Sequence, residues 1–383
     1  MARDTLALAL LISIVAVILW AERQKQLRRF FRWLPIPLWC YTLPMVAIAI
    51  HGLPDNPHVY KTATAWLLPF ALACLLLGAD LPAVARLGWK ALAAAVIGAA
   101  GILTGAIIGV VLLHQQLPGE AWKGASALAA TWTGGTLNLV AMQSLLHISD
   151  AVFAPLIVVD AVIAYGWMAL LVGLSAREGK INQWLGIGLP DLTASTALSP
   201  ALPPQSLIYC SLLVAGLTSL SYLIAPILPV SSLISSQSGW VVLLITTLTL
   251  CCSLIPWVRA QGQAGTRIGY PCLYLVLAAT GAQAHLGSLS SVPLWIVLGL
   301  IVAATHAIFL LITGRLLKIP LGLLATASQA NIGGVVSAPL VGAVYNQSLV
   351  PVGLVLAMAG NALGTYLGLL TASLIRTLLH FSA

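Results

Sequence analysis

Apolar runs of about twenty residues recur along the whole sequence, and this recurrence limits the fold more than any other feature. A helical run of that length spans the hydrocarbon core of a bilayer. The chain is 60% hydrophobic and only 7% charged, whereas about a quarter of the residues in a soluble domain are charged. The sequence therefore predicts an all-α polytopic (multi-pass) protein of the bacterial cytoplasmic membrane, with about 10–12 transmembrane helices.

The apolar runs fall into two sets of six, separated by a polar, proline-containing stretch. The predicted organisation is an N-terminal repeat over 1–176, a linker over 177–205 and a C-terminal repeat over 206–383. The predicted spans are 5–21, 36–52, 64–80, 91–113, 123–146, 152–176, 206–228, 238–258, 268–285, 291–314, 319–343 and 348–375.

Two of these spans are interrupted by polar, glycine-rich sequence, TWTGGTLNLVA at 131–141 and SQANIGGVVSAP at 328–339. Irregular backbone survives in a membrane only where it lines a cavity or is buried in protein. Glycine permits the broken geometry, and the side-chain oxygens and freed carbonyls can then hold an ion or a solute. The interruptions therefore predict a transporter binding site. Its candidate residues are Thr131, Thr133, Gly134, Gly135, Thr136, Asn138, Ser328, Gln329, Asn331, Gly333, Gly334, Ser337 and Asn361.

Asp160 is the acidic residue that lies well inside a predicted span. A carboxylate near mid-membrane is costly and marks a functional site by default, although a neutral, hydrogen-bonded Asp that pins the packing is the alternative. No acid follows Asp191, so the second half would have to bind a cation through neutral oxygens, which favours Na⁺ over H⁺. The Na⁺ candidates are Asn138, Asp160, Gln329 and Asn331. Additional site candidates are Asp80, Gln283 and His306.

The order of features in the first half recurs in the second, which is typical of an internal repeat. Loops rich in Lys and Arg are predicted to be cytoplasmic, and they place the two interrupted spans in opposite orientations, as in an inverted repeat. Six full crossings per half would instead give parallel repeats. Either a segment within 205–257 fails to cross or the linker hides a crossing. The basic residues assigned to the cytoplasmic side include Arg23, Lys25, Arg86, Lys90, Arg259, Arg267, Arg315, Lys318 and Arg376.

Several function classes lack support in the sequence. It contains no Walker loop, HExxH or G-x-S-x-G motif, so we do not expect an enzyme or an ATP-driven pump. The net charge of +8 comes from the loops between spans and indicates topology rather than nucleic-acid binding. The six cysteines lie in apolar stretches without metal-type spacing. No cofactor is expected beyond a coupling ion.

Four stretches carry a family resemblance: LLLGADLPAV at 75–84, ATWTGGTLNLVAM at 130–142, the segment IVVDAVIAYG around Asp160, and ASQANIGGVVSAP followed by GLVLAMAGNALGTYLG at 353–368. They resemble the membrane family known as domain of unknown function 819, which is grouped with the cation/proton antiporter and sodium/bile-acid symporter-like superfamily. The resemblance implies two inverted repeats with crossing discontinuous helices and interleaved core and panel domains. It also implies elevator-like alternating access and a homodimer formed through the panel domain.

The implied crossover covers 133–138 and 331–337. One departure from the family pattern lies at 333–337, where Gly-Gly-Val-Val-Ser stands in place of the expected Gly-Gly-Pro-Ala-Thr.

These features predict a secondary active transporter that couples a cation gradient to movement of a small polar or anionic organic solute. Positive helix N-termini at the interruptions favour a carboxylate, such as an amino acid, a short peptide or an organic acid. A cation/proton antiporter without an organic substrate is the first alternative. A membrane sensor or partner subunit that does not transport is the second. The expected partners are the lipid bilayer and the solute, without nucleic acid.

Overall fold

The computed structural model describes residues 2–27, 30–31, 36–80, 82–83, 87–187, 206–229, 237–284, 286–346 and 348–379, so most of the predicted linker lies outside the described residues. The described residues are helical and include no β-strand. The helices are α1 (Ala2–Arg23), α2 (Ile36–Ala49), α3 (Pro57–Leu76), α4 (Trp89–Leu113), α5 (Ala121–Gly134), α6 (Thr136–Leu146), α7 (Asp150–Ser175), α8 (Glu178–Trp184), α9 (Ser206–Ile224), α10 (Gln237–Ser253), α11 (Pro256–Ala260), α12 (Gly262–Gly281), α13 (Val292–Leu317), α14 (Leu321–Ile332), α15 (Gly334–Tyr345) and α16 (Leu349–Leu379).

Every predicted span coincides with one helix or with two consecutive helices. Among the described residues, seven helices are long and apolar enough to cross a membrane, namely α1, α3, α4, α7, α9, α13 and α16. Shorter apolar helices are α2, α6, α10 and α15. These lengths and compositions confirm a multi-pass membrane protein.

The chain divides into two compact units that do not follow its two halves. Unit 1 comprises 1–78, 143–161 and 203–295, and unit 2 comprises 79–142, 162–202 and 296–383. In unit 1, α12 packs against α2 and α3 at very short range, because a β-carbon at Gly281 would overlap the Tyr41 carbonyl. The predicted repeat boundaries remain a prediction.

In unit 2, the first interrupted segment folds back on itself. A β-carbon placed on Gly368 of α16 would lie 2.7 Å from Cβ of Ala130 on α5 and 2.9 Å from Sδ of Met142 on α6. A continuous helical path would separate Ala130 from Met142 by about 18 Å, since each residue adds about 1.5 Å. Helices α5 and α6 are therefore the two arms of a helical hairpin, which we call hairpin 1.

The second interrupted segment, α14 and α15, folds back in the same way and forms hairpin 2. A β-carbon on Gly353 would lie 2.9 Å from both Cγ2 of Thr326 and the carbonyl carbon of Ala338. Near the open end, a β-carbon on Gly322 would lie 3.0 Å from Cβ of Tyr345. Hairpin 2 thus packs along the first half of α16 and hairpin 1 along the second half.

The two hairpins point toward each other. At each tip a glycine adopts a left-handed backbone, with φ +80° at Gly135 and +77° at Gly334, a conformation that glycine permits at little cost. A β-carbon on Gly334 would lie 4.0 Å from Cα of Gly135. An arm of about twelve residues is roughly 18 Å long, a little over half of a hydrocarbon core of about 30 Å.

One expectation is therefore wrong, because the discontinuous helices do not continue and cross; each reverses at its glycine. The membrane side of Arg376 remains a prediction, but Arg376 and Lys318, which were predicted to share a side, lie at the open ends of different hairpins. The Arg376 guanidinium lies 5.3 Å from the ring centre of Trp122, at the open end of hairpin 1, whereas the Nζ atom of Lys90 donates to the carbonyl of Lys318 at the end where hairpin 2 begins.

Candidate functional site

The tips of the hairpins gather most of the predicted site. Hairpin 1 brings its polar and glycine residues to the tip, hairpin 2 does the same, and Asn361 of α16 lies beside them, with its Oδ1 3.2 Å from a β-carbon placed on Gly135. The predicted residues at or next to the tips are Thr131, Thr133, Gly134, Gly135, Thr136, Asn138, Ser328, Gln329, Asn331, Gly333, Gly334, Ser337 and Asn361.

In hairpin 1, the Asn138 side chain joins the two arms and α16. It is 1% exposed, and its Nδ2 donates to the carbonyl of Gly134 (2.6 Å) and to the carbonyl of Asn361 (3.3 Å). Its Oδ1 accepts from the Thr365 hydroxyl at 2.6 Å. Buried amides need such partners, and here both ends of the amide have them within the protein.

A row of glycines on α16 allows this close contact. A β-carbon on Gly364 would lie 2.7 Å from the carbonyl oxygen of Ala130, and one on Gly360 would overlap the Thr133 carbonyl. Small residues four positions apart are the pattern by which membrane helices approach closely. This spacing at 360, 364 and 368 is a signal in the sequence from which the contact could have been predicted.

In hairpin 2, one of the two polar atoms of the Gln329 side chain accepts no hydrogen bond from the described residues. The side chain is 1% exposed and its Nε2 donates to the Ser337 hydroxyl at 2.9 Å, across the Gly333 tip, where a β-carbon would overlap both groups. Its Oε1 is buried and accepts no hydrogen bond from any residue that the structure describes. Leaving such a buried acceptor without a hydrogen bond lowers the stability of the fold by about 1–3 kcal/mol. A bound cation or hydrogen-bond donor would offset this cost.

A directed hydrogen-bond chain lies next to Gln329. His306, which is fully buried, contacts the Gly98 carbonyl through Nδ1 and the Ser328 hydroxyl through Nε2, both at 2.8 Å. A carbonyl only accepts, so Nδ1 carries the proton, and Nε2 of the neutral ring accepts from Ser328. The Ser328 oxygen in turn accepts from Nε1 of Trp167 at 2.8 Å. The chain satisfies a neutral imidazole completely.

The remaining candidates are placed less favourably. Oδ1 of Asp80 accepts from the backbone N–H of Ala83 at 3.1 Å, and Nε2 of Gln283, just beyond the end of α12, donates to the carbonyl of Ala279 in α12 at 3.0 Å. Both are local contacts that stabilise a helix end. Asp160 lies on the part of α7 that belongs to unit 1, and it is partly buried there. Gln283 also belongs to unit 1.

Asn331 and Thr133 also have partners within the protein. Nδ2 of Asn331 donates to the carbonyl of Ala95 at 3.1 Å, and the Thr133 hydroxyl donates to the carbonyl of Ala129 at 2.8 Å. Two further residues, Thr365 and Trp167, hold the site together although the sequence did not single them out. Their role depends on partners more than 150 positions away, which no local pattern reveals.

Helix ends give the tips a mixed electrostatic character. The C-termini of α5 and α14 bring partly negative carbonyls, and the N-termini of α6 and α15 bring partly positive N–H groups. The described residues contain no group of three or more His, Cys, Asp or Glu side chains that could hold a metal ion. Carbonyl, amide and hydroxyl oxygens suit a hard cation, and the N–H groups suit a carboxylate.

Comparison with protein families gives a match over nearly the whole chain. The profile of the family described as "Protein of unknown function (DUF819)" matches residues 9–378, which is nearly the whole chain. No curated protein matches it.

Proposed function

The chain belongs to the DUF819 family of membrane proteins, and from this premise and its paired hairpins we propose that it is a secondary active transporter. In this proposal a Na⁺ gradient drives movement of a small polar or anionic organic solute, such as an amino acid, a short peptide or another carboxylate. The observation that carries the proposal is the Oε1 of Gln329, which is buried where the two hairpins meet and has no hydrogen-bond partner among the described residues.

We assign cation binding to the tip of hairpin 2. The oxygen ligands would be Oε1 of Gln329 and the carbonyls at the end of α14. Neutral oxygens of this kind bind Na⁺ at broken membrane helices. The N–H groups that open α6 and α15 would then face the carboxylate of the solute. Asn138, which the sequence suggested as a ligand, acts instead as a positioning residue, because its amide already has partners in the protein.

The hairpins also support inverted repeats. With hairpins 1 and 2 counted as re-entrant, each half contributes five crossings and one hairpin, and an odd number of crossings turns the second half upside down. We propose ten crossings on this basis. We further propose elevator-like alternating access in the cytoplasmic membrane, supported by the presence of hairpin 2, α16 and hairpin 1 as far as Met142 in one compact unit. The homodimer remains a proposal from the family resemblance.

The test is thermal unfolding of the purified protein in NaCl, KCl and choline chloride at equal ionic strength. A ligand present at about 100 times its dissociation constant adds about 2.7 kcal/mol of stability. We expect a rise in melting temperature that is specific to Na⁺, is absent in Gln329→Met and persists in the control Gln283→Met, whose amide donates to Ala279 in the adjoining α12. Equal melting temperatures of the wild type in the three salts would refute Na⁺ coupling.

A cation/proton antiporter is the second candidate, favoured by the His306 chain. Protonation of Nε2 would require the hydroxyl hydrogen of Ser328 to turn away from His306, next to Gln329 on the same hairpin. Proton binding would thereby change the hydrogen bonding of hairpin 2 beside Gln329. The antiporter predicts a cation-driven pH change in vesicles that hold no organic solute, and His306→Gln should abolish it. Solute-dependent Na⁺ uptake without that pH change would instead support the symporter.

A further inference from the structure

A groove on the surface of unit 2 has an apolar floor and a cationic end. It has a volume of about 320 Å³ and is lined by Ile308, Leu311, Ile312, Leu316, Arg315 and Trp184. The apolar residues recur every three or four positions on α13, so they form one stripe along the helix. Ile312 and Leu316 are 55% and 75% exposed, which leaves the stripe open to the surroundings of the protein.

The cationic end is built rather than incidental. The Arg315 guanidinium lies 5.0 Å from the centre of the Trp184 ring, and its Nη1 donates to the Trp184 carbonyl. Helix α8, which carries Trp184, is fixed by Oδ1 of Asn182, which accepts from the N–H of Leu321 at the start of α14 at 2.8 Å. A guanidinium has five N–H donors in a planar fork, so several remain to face an anion.

The charges around this end favour an anion. Lys318 is exposed one turn beyond Arg315, and Lys90 donates to the Lys318 carbonyl at 3.0 Å, so three cationic side chains belong to this end of unit 2. The acid of α8, Glu178, begins that helix whereas Trp184 ends it, and an Oε1 of Glu178 lies 3.2 Å from a β-carbon placed on Gly322. The loop between α13 and α14 is one that its basic residues assign to the cytoplasmic face.

We propose that this groove binds one anionic phospholipid of the cytoplasmic leaflet. An acyl chain would lie along the stripe from Ile308 to Leu316, and the phosphate would meet the fork of Arg315. Trp184 would lie at the headgroup level, where tryptophan is enriched in membrane proteins. Basic residues next to cytoplasmic helix ends attract anionic headgroups, and a planar guanidinium suits phosphate especially well. The site neighbours the first turn of hairpin 2, so the lipid would stabilise the base of that hairpin.

The test measures lipid binding to delipidated protein in a neutral detergent. Phosphatidylglycerol and phosphatidylcholine with identical acyl chains are compared by native mass spectrometry and by thermal unfolding. We expect phosphatidylglycerol to be retained and to raise the melting temperature more than phosphatidylcholine does. Arg315→Gln should weaken phosphatidylglycerol binding about fivefold, the factor that corresponds to about 1 kcal/mol for one basic residue near a membrane surface.

The matched control is Arg376→Gln. Arg376 lies in the last turn of α16, and its guanidinium also packs on a tryptophan ring, that of Trp122. This variant should leave the preference for phosphatidylglycerol intact. If Arg315→Gln does not fold, Ile312→Trp fills the groove while keeping the charge, and it should also reduce retention. The proposal is overturned if Arg315→Gln keeps the full preference for phosphatidylglycerol. If Ile312→Trp is used in its place, the same result in that variant overturns the proposal. So does equal binding of the two lipids, or a full thermal shift from glycerol 3-phosphate alone, which would identify a site for soluble phosphate.

Discussion

Hairpin 1 and hairpin 2 share an outline but use their polar residues differently. Each has two short arms and a left-handed glycine at the tip, Gly135 in one and Gly334 in the other. In hairpin 1 the central amide, Asn138, forms hydrogen bonds to the tip and to α16, and both its nitrogen and its oxygen have partners. In hairpin 2 the central amide, Gln329, donates to Ser337, and its buried oxygen accepts from none of the residues that the structure describes.

This difference distinguishes residues that stabilise the fold from residues that are available to bind a ligand. A polar group with all its partners inside the protein stabilises one arrangement, whereas a buried acceptor without a partner is a cost that a ligand can remove. Hairpin 1 is further held by backbone contact with the glycines of α16. We therefore expect changes in hairpin 1 to reduce stability and changes in hairpin 2 to reduce the response to ligand.

The all-or-none test concerns the reversal itself. Cysteines placed at Lys318 and Asn346, in a chain without its own six cysteines, should be joined by a short bifunctional maleimide, because both positions are exposed at the open end of hairpin 2, where Gly322 and Tyr345 meet. Trp89 and Leu112 serve as the control, since they are exposed on the uninterrupted α4 and lie about 35 Å apart along its axis. Mass spectrometry of the peptides would report the crosslink. Failure of the first pair to react would restore a continuous, crossing helix.

The second prediction compares glycines at the two tips. Gly134→Ala should lower the free energy of unfolding by about 3 kcal/mol, the upper range for overpacking, because its β-carbon would lie 2.5 Å from the carbonyl oxygen of Gly360 and 2.9 Å from Cα of Gly364. Neither backbone can move aside cheaply. Gly333→Ala meets only the ends of the Gln329 and Ser337 side chains, and should cost about 1 kcal/mol, one hydrogen bond. Equal losses in thermal unfolding would contradict the distinction.

Hydropathy alone was enough to place the helices, but not the reversals. The bilayer forces apolar sequence into helices, so every predicted span coincides with observed helices, and of the described helices only the short α8 lies in the predicted linker. A Gly-Gly break, by contrast, permits either a continued path or a turn. The choice is made by contacts such as Ala130 with Gly368, more than 200 positions later in the chain. The difficulty in the count of crossings was the one trace of this reversal in the sequence.

The site was predictable as a set of residues but not as a division of roles. Polar residues inside apolar sequence stand out, so Asn138 and Gln329 were both candidates for Na⁺. Their roles differ because Thr365 meets one amide and no described residue meets the oxygen of the other. Residue type and spacing do not contain that information, since each amide lies beside a similar glycine pair.

The third prediction tests whether Asn138 is a structural residue. Asn138→Ala should lower the free energy of unfolding by about 2 kcal/mol in any salt, because it leaves the Thr365 hydroxyl without its acceptor. A double-mutant cycle with Thr365→Val should give a coupling energy near 0.6 kcal/mol, typical of polar pairs between membrane helices. Strict additivity, or a loss confined to NaCl, would return Asn138 to the set of cation ligands.

The fourth prediction concerns the resting cost of Gln329. In choline chloride, Gln329→Met should change the free energy of unfolding by less than about 1 kcal/mol, since the hydrogen bond lost to Ser337 is offset by removal of a buried, unpaired acceptor. The Na⁺-dependent increment should disappear in the same variant. A large loss in choline would mean that Gln329, like Asn138, holds its hairpin together.

The smallest effect should come from Trp167, which tethers hairpin 2 from α7. Trp167→Phe keeps the ring beside His306, whose centre lies 5.9 Å away, and removes the Nε1 donor to Ser328. Ser328 still donates to His306, so the chain is shortened rather than broken. We expect a loss of about 0.5–1 kcal/mol, the net value of one hydrogen bond, with the Na⁺ response intact. If the Na⁺ response vanished instead, structural and ligand-binding residues could not be distinguished within hairpin 2, because a tethering residue would then control the proposed cation site.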